Sequence, residues 1–314
     1  MIENSIQNGN IDDLNTKELS WAFLIIAVVV LVFVFFVSGS SSEELVEVVE
    51  VKKSVQIFEN LDLEAKALYV WDVVKQEEIY SENSESQLHL ASLSKVMMAV
   101  TALEQLPEGT IITIDRNSLS EEGDSGLLIN EKWTLKDLID FSLLVSSNDG
   151  AMAVASAISS QVSDNGDLND FIGLMNQKAR DIGMTQTYFL NPSGLDKNDL
   201  IPGGSGSAKD IALLFEYALK EYPSALEATS YPSVEFDSVS GLVHEGKNTN
   251  DLVSKLPGVI ASKTGFTDIA GGNLAIAFEP EPGRPIILVV LGSSLEGRFE
   301  DIEKLYLTTL DYIN

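Results

Sequence analysis

Apolar and polar residues alternate through "EAKALYVWDVVKQEEIYSEN" (64–83), the period of two expected of half-buried strands, so this stretch predicts two short strands joined at a turn. The pattern then changes. "HLASLSKVMMAVTAL" (89–103) carries apolar residues at helical spacing and predicts a helix from Ser92 to about Gln105. "TLKDLIDFSLLVSS" places Thr134 and Asp137 at capping spacing ahead of Leu135, Leu138, Ile139 and Leu143 on one face. "DGAMAVASAIS" reads as a small-residue helix, and "NDFIGLMNQKARDIG" as one stopped by Gly183. "SAKDIALLFEYALKEYP" starts at Ser207 and stops at Pro223. Strands return in "GVIASKTG", "GNLAIAF" and "PIILVVLGS", and "GRFEDIEKLYLTTLDYI" closes as an amphipathic helix. The order predicts an α/β (α+β) fold: an antiparallel sheet whose first and last strands meet, flanked by helices, with a mainly helical subdomain inserted.

One segment fits no globular pattern. Residues 21–37, "WAFLIIAVVVLVFVFFV", are 17 apolar residues without a charge. As a helix they span roughly 25 Å, close to a bilayer core, and a buried soluble helix is rarely apolar on every side. The stretch before it is acidic, with Lys17 its only basic group, which suits a retained anchor better than a cleaved signal peptide. The expected organisation is a cytoplasmic tail (1–20), a transmembrane anchor (21–37), a linker (38–60) and one catalytic domain (61–314).

Composition narrows the chemistry. The 314 residues carry a formal charge of −28, which argues against nucleic acid as a partner. There is no cysteine, hence no disulfide and no thiolate site. His89 and His244 are the only histidines, so a histidine metal site or a Ser-His-Asp triad lacks material. No metal or organic cofactor is expected, and a nucleophile must find another base.

Ser92 and Lys95 supply one. A chain of this length holds roughly one S-x-x-K by chance. Two further motifs change the weighing: Ser146-Ser147-Asn148 at the turn between two predicted helices, and Lys263-Thr264-Gly265 at the end of a predicted strand. Together and in this order they form a known active-site pattern of serine acyl-transfer enzymes. Ser92 at the positive end of a helix gains stabilisation as it becomes an oxyanion. Lys95, one turn along, faces the same side. It serves as a base where burial and a neighbouring cation, Lys263, lower its pKa. Ser146 could pass a proton to a leaving amine, Asn148 could hold a substrate amide, and Lys263 and Thr264 could receive a terminal carboxylate. Gly265 would let a substrate backbone approach.

Over roughly residues 61–314 the chain resembles the serine D-alanyl-D-alanine carboxypeptidases, the low-molecular-mass penicillin-binding proteins. The likeness lies in "ASLSKVMMA", "SSNDGAMAVA", "NPSGLD", "SAKDIALL", "KTGFTDIAGGNLAIA" and "GRFEDIEKL". It implies a β-lactamase/transpeptidase-like fold. The implied reaction is removal of the terminal D-alanine of peptidoglycan stem peptides, with β-lactams as covalent inhibitors. It further implies an oxyanion hole from the backbone N–H groups of Ser92 and Phe266, and carboxylate binding by Arg298. Family members often add a second β-rich domain and a C-terminal anchor; neither is expected after the final predicted helix, and residues 21–37 would replace that anchor. Ser147 stands where glycine is commoner, in a position expected to carry no chemistry. Trp71 and Trp133 read as core. Because peptidoglycan lies outside the membrane, residues 38–314 are expected outside it.

Four alternatives stay in view: a D,D-endopeptidase with the same site, a β-lactamase, a wall-binding protein without catalysis, and a small-ester hydrolase. Against a β-lactamase, Thr187 occupies the position of the deacylating glutamate.

Overall fold

The computed structural model describes residues 56–162 and 166–313. The expected anchor (21–37) and most of the linker lie outside them. Among the described residues no helix is long and apolar enough to cross a membrane.

Strands β1 (Ala67–Asp72) and β2 (Glu77–Glu82) open the domain, followed by short β3 (Leu88–His89) and helix α1 (Ser94–Gln105). Then come β4 (Ile111–Thr113), β5 (Lys132–Thr134), α2 (Leu135–Leu144), α3 (Asn148–Val162), α4 (Leu168–Ile182), β6 (Tyr188–Phe189), β7 (Gly204–Gly206), α5 (Ala208–Glu221) and α6 (Ser224–Glu227). A hairpin of β8 (Ser233–Asp237) and β9 (Val243–Lys247) precedes β10 (Val259–Thr267), β11 (Gly271–Phe278), β12 (Ile286–Ser293) and α7 (Gly297–Ile313).

The main sheet has the order β10-β11-β12-β1-β2. First and last strands meet as expected: β1 pairs antiparallel with β12 from Ala67 opposite Leu291 to Asp72 opposite Ile286. Alternation along these strands sorts side chains to two covered faces. Ala275, Ala277, Ile287, Val289 and Leu291 join the large core with Ile211, Leu214 and Phe215 of α5. On the other face Phe278 meets Tyr306 of α7, ring centres 4.6 Å apart.

Helix α1 is the axis of the molecule. Ser94 through Ala102 are all buried, and α1 touches α2, α3, α4 and α5. A helix sheathed on all sides is held rigidly, which a nucleophile at its start requires. Local signals set its neighbours' ends. Thr134 Oγ1 accepts from the Asp137 N–H at the start of α2, Ser207 caps α5 through the Asp210 N–H, and Gly183 ends α4 in the left-handed conformation at φ 90°. Trp133 is fully buried against Phe141, Phe236 and His244. Trp71 is only partly buried and donates its indole N–H to Glu216 at 2.6 Å. His244 holds Glu131 at 2.7 Å, a structural tie between β9 and the segment before β5.

Candidate active site

Ser92 lies in a tight 3-10 turn, Ala91–Leu93, that leads into α1. Ala91 takes a left-handed φ of 48°, unusual for a residue with a Cβ, immediately before Ser92. Two glycines make the turn possible. A Cβ on Gly265 would come within 2.9 Å of the Leu90 carbonyl oxygen and 3.3 Å of the Ser92 nitrogen, so β10 lies directly on the nucleophile turn. The close approach that Gly265 permits is therefore by the protein's own backbone. A Cβ on Gly194 would sit 1.9 Å from the Ala91 oxygen, so the "NPSGLD" loop presses on the turn from the other side.

The structure brings the expected residues together. Lys95 Nζ donates to Ser92 Oγ at 2.9 Å, to Asn148 Oδ1 at 2.7 Å and to the Ser193 carbonyl at 2.7 Å. Three acceptors around one amine fix its direction, and Lys95 is wholly buried. Burial pushes its pKa down to about 7, against a smaller opposing pull from the Glu121 carboxylate. Lys263 donates to Ser146 Oγ at 2.9 Å and to the Thr264 carbonyl at 2.8 Å. It is held well below the usual lysine range by burial first and then by the Lys95 and Arg298 cations. Burial, one of the two causes the sequence led us to expect, is the largest at both amines, and the neighbouring cations add to it at Lys263.

Ser146 hangs at the α2–α3 junction with a left-handed φ of 60°, a second strained residue at the same centre. Ser147, expected to be silent, has structural work. Its hydroxyl accepts from the Gly150 N–H at 2.9 Å and bonds Ser125 at 2.6 Å. Asn148 has two partners within the protein. Its oxygen faces Lys95, and its Nδ2 donates to the Glu122 carbonyl at 2.7 Å, so both ends of the amide are engaged inside the protein. Asn148 links the 121–126 loop to the Lys95 amine.

Thr264 Oγ1 and Thr249 Oγ1 are 2.6 Å apart. Arg298, at the start of α7, is 8% exposed. Its NH1 group donates to the Gly265 carbonyl at 2.8 Å while its Nε has no partner. Arg298 thus lies behind the K-T-G strand, held to it through the Gly265 carbonyl. Phe266, half exposed, lines a cleft of about 660 Å³ with Glu122, Leu195 and Asp196. Ser146 lines a second cleft, of about 370 Å³, on the side of Glu245 and Lys247. Among the described residues no cluster of His, Asp and Glu could hold a metal.

Sequence reading did not name Ser193, whose carbonyl orients Lys95, nor Gly194, although the "NPSGLD" motif pointed at both.

This arrangement has known counterparts. The family model described as D-alanyl-D-alanine carboxypeptidase (peptidase S11) matches residues 53–294. The D-alanyl-D-alanine carboxypeptidase DacB2 of Mycobacterium tuberculosis is 32% identical over 212 residues, 66% of this chain and 68% of that protein. D-alanyl-D-alanine carboxypeptidase DacF of Bacillus subtilis is 31% identical over 237 residues, 72% of this chain but 57% of its relative. Penicillin-binding protein D2 of Listeria monocytogenes, solved in its cefotaxime-bound form, is 32% identical with a TM-score of 0.67, covering 79% of this chain and 98% of that one. A buried lysine on a serine hydroxyl, a second lysine on a second serine, and a sequence match across most of the domain lead to one placement: the chain belongs to the D-alanyl-D-alanine carboxypeptidase family of serine peptidases.

Proposed function

We propose that the domain removes the terminal D-alanine from peptidoglycan stem peptides through an acyl-enzyme on Ser92. The observation that carries this is the buried Lys95 amine, 2.9 Å from the Ser92 hydroxyl, with a pKa lowered to about 7. An amine neutral near pH 7 takes the hydroxyl proton as Ser92 Oγ attacks the carbonyl of the penultimate D-alanine. The backbone N–H groups of Ser92 and Phe266 stabilise the resulting oxyanion. Ser146 Oγ hands a proton to the leaving amine and regains one from the Lys263 and Lys95 side. The C–N bond breaks, D-alanine departs, and water hydrolyses the ester. Lys263, Thr264 and Arg298 hold the terminal carboxylate, whose charge favours protonation of Lys263.

β-Lactams would acylate the same serine and leave slowly. Thr187 supports that reading: its hydroxyl is committed to Asp210 Oδ2 at 2.7 Å and offers no carboxylate to activate water. Residues 21–37 would anchor the chain with residues 38–314 outside the membrane, as the apolar run and the location of the substrate favour.

Mass spectrometry of muropeptides after incubation should show loss of a single terminal alanine. A fluorescent penicillin should leave a persistent label, and Ser92→Ala should abolish both. Rapid penicillin turnover without a label would sink the carboxypeptidase reading in favour of a β-lactamase. Arg298→Ala should raise KM by about 10- to 100-fold, the worth of one charge-assisted hydrogen bond. That loss should vanish for a peptide with an amidated C-terminus; equal losses on both peptides would mean Arg298 only braces β10.

A further inference from the structure

Three consecutive residues at the α2–α3 junction, Ser147, Asn148 and Asp149, are each tied by a side chain to one short loop, residues 122–125, that the reaction derived above does not use. Ser147 Oγ lies 2.6 Å from Ser125 Oγ. Asn148 Nδ2 donates to the Glu122 carbonyl at 2.7 Å. Asp149 Oδ2 receives the Ser125 hydroxyl at 3.2 Å and the Ser125 N–H at 3.4 Å. Ser125 therefore grips both neighbours of Asn148. The same loop walls both clefts: Glu122 lines the larger, and Gly123, Asp124 and Ser125 line the one that Ser146 opens onto.

These bonds have one consistent direction. Asp149 is 3% exposed, its Oδ1 has no partner, and among the described residues both donors to Oδ2 come from Ser125. A carboxylate only accepts, so the Ser125 hydroxyl points at Asp149, and its oxygen is left to accept from Ser147. Ser147, equally buried, accepts in turn from the Gly150 N–H at 2.9 Å. Gly150, Ser147, Ser125 and Asp149 thus close a ring across the first turn of α3, completed by one serine from outside the helix.

Ser146 comes immediately before this ring. Its φ of 60° is a conformation that a residue with a Cβ keeps only where its surroundings impose it. Its hydroxyl meets Lys263 at 2.9 Å on the other side. We infer that Ser125 is a positioning residue that, through Ser147 and Asp149, fixes the strained Ser146 backbone and so aims its hydroxyl at the leaving amine. This rests on the reading of Ser146 as the donor of that proton. Asn148 has ties of its own, to the Glu122 backbone and to Lys95, so losing the Ser125 hydroxyl falls on Ser146 and spares the base.

The leaving atom separates the two effects. The C–N bond of the tetrahedral intermediate breaks as nitrogen takes a proton from Ser146 Oγ, which regains one from the Lys263 and Lys95 side. A thiolate leaves without that proton, since thiols ionise at about pH 8.5. The experiment compares kcat/KM for release of D-alanine from diacetyl-L-lysyl-D-alanyl-D-alanine with release of thioglycolate from the thioester of the same acyl group, which keeps a terminal carboxylate. Ser125→Ala should slow the amide about tenfold and the thioester about twofold or less, the effect of one misplaced hydrogen-bond donor. Ser147→Ala should do the same, and it carries the test should Ser125→Ala fail to fold. The double variant should be little slower than either single one, because both remove one shared hydrogen bond. Ser125→Thr, which keeps the hydroxyl, should restore the amide rate. Equal losses on amide and thioester in a folded variant, an amide rate unchanged in both single variants, or losses that multiply in the double variant overturn the inference while leaving the enzyme intact. A wild-type protein that releases thioglycolate but no alanine, or neither, overturns the carboxypeptidase reading beneath it instead.

Discussion

Replacing Lys95 by methionine is expected to slow acylation of Ser92 by roughly a thousandfold or more, within the range that a positioned base contributes. The same change should make the folded chain better able to tolerate neutral pH. The reason is that both effects come from one burial. In the folded protein the Lys95 amine is held at about 7 instead of 10.5. Above pH 10.5 the amine is neutral whether the chain is folded or not, and its titration costs nothing. As pH falls below that, the unfolded chain takes up a proton that the folded chain refuses, and stability drains away until about pH 7, where both forms are charged. Each unit of depression is worth about 1.4 kcal/mol, so the full cost is several kcal/mol. Methionine has no proton to take up. Relative to wild type, Lys95→Met should therefore gain several kcal/mol between about pH 10.5 and pH 7, whatever constant amount it loses from the unpaired Ser193 and Asn148 oxygens. Urea unfolding at the two pH values, alongside stopped-flow penicillin acylation, measures both halves. A stability difference that does not change with pH would mean that the lysine is charged and solvated in the folded state, and the base assigned to it would be lost.

The second large effect is expected at a residue with no side chain. Gly194 has a φ of 82° and lies where a Cβ would be 1.9 Å from the Ala91 oxygen and 2.4 Å from its carbon. Both contacts are backbone, so no rotamer change relieves them. Gly194→Ala must push the loop off the nucleophile turn or force the turn itself to move. Either movement carries away the Ser193 carbonyl that orients Lys95. A loss of more than about 3 kcal/mol is expected from the combined strain and steric cost. A displacement of about an ångström at the reacting atoms costs on the order of a hundredfold in rate. Thermal unfolding and penicillin labelling of the variant check this. A melting temperature and labelling rate close to wild type would show that the loop has room to retreat.

Much of the architecture could be read from the pattern because its long elements carry strong periods. The hairpin opening the domain, the buried runs "IASKTG", "NLAIAF" and "IILVVLGS", and the capped helices each state their own secondary structure. The pairing of β1 with β12 agrees with the expectation drawn from element order, in which the strands before and after the helical block share one sheet. Short elements were not legible. Strands β3, β6 and β7 have two or three residues, too few to show a period, and they pair only because α1 and the "NPSGLD" loop bring them together. The β8–β9 hairpin was missed although "SVEFD" alternates; its neighbouring "DSVSG" turn lacks a strong two-residue turn signal.

At the site, residue types were readable and their couplings were not. By itself the sequence determined the chemistry on offer: a serine with a lysine one turn away, no cysteine, two histidines, and two more short motifs in a telling order. Those are properties of composition and local spacing, which survive in any conformation. Tertiary structure alone decided that Lys95 is dry, that Asn148 turns its oxygen to that amine and its nitrogen to Glu122, and that Gly265 admits a protein turn. Desolvation and electrostatic coupling depend on what the whole fold packs around a group, and contacts between residues 26, 53 or 98 positions apart leave no trace in local pattern.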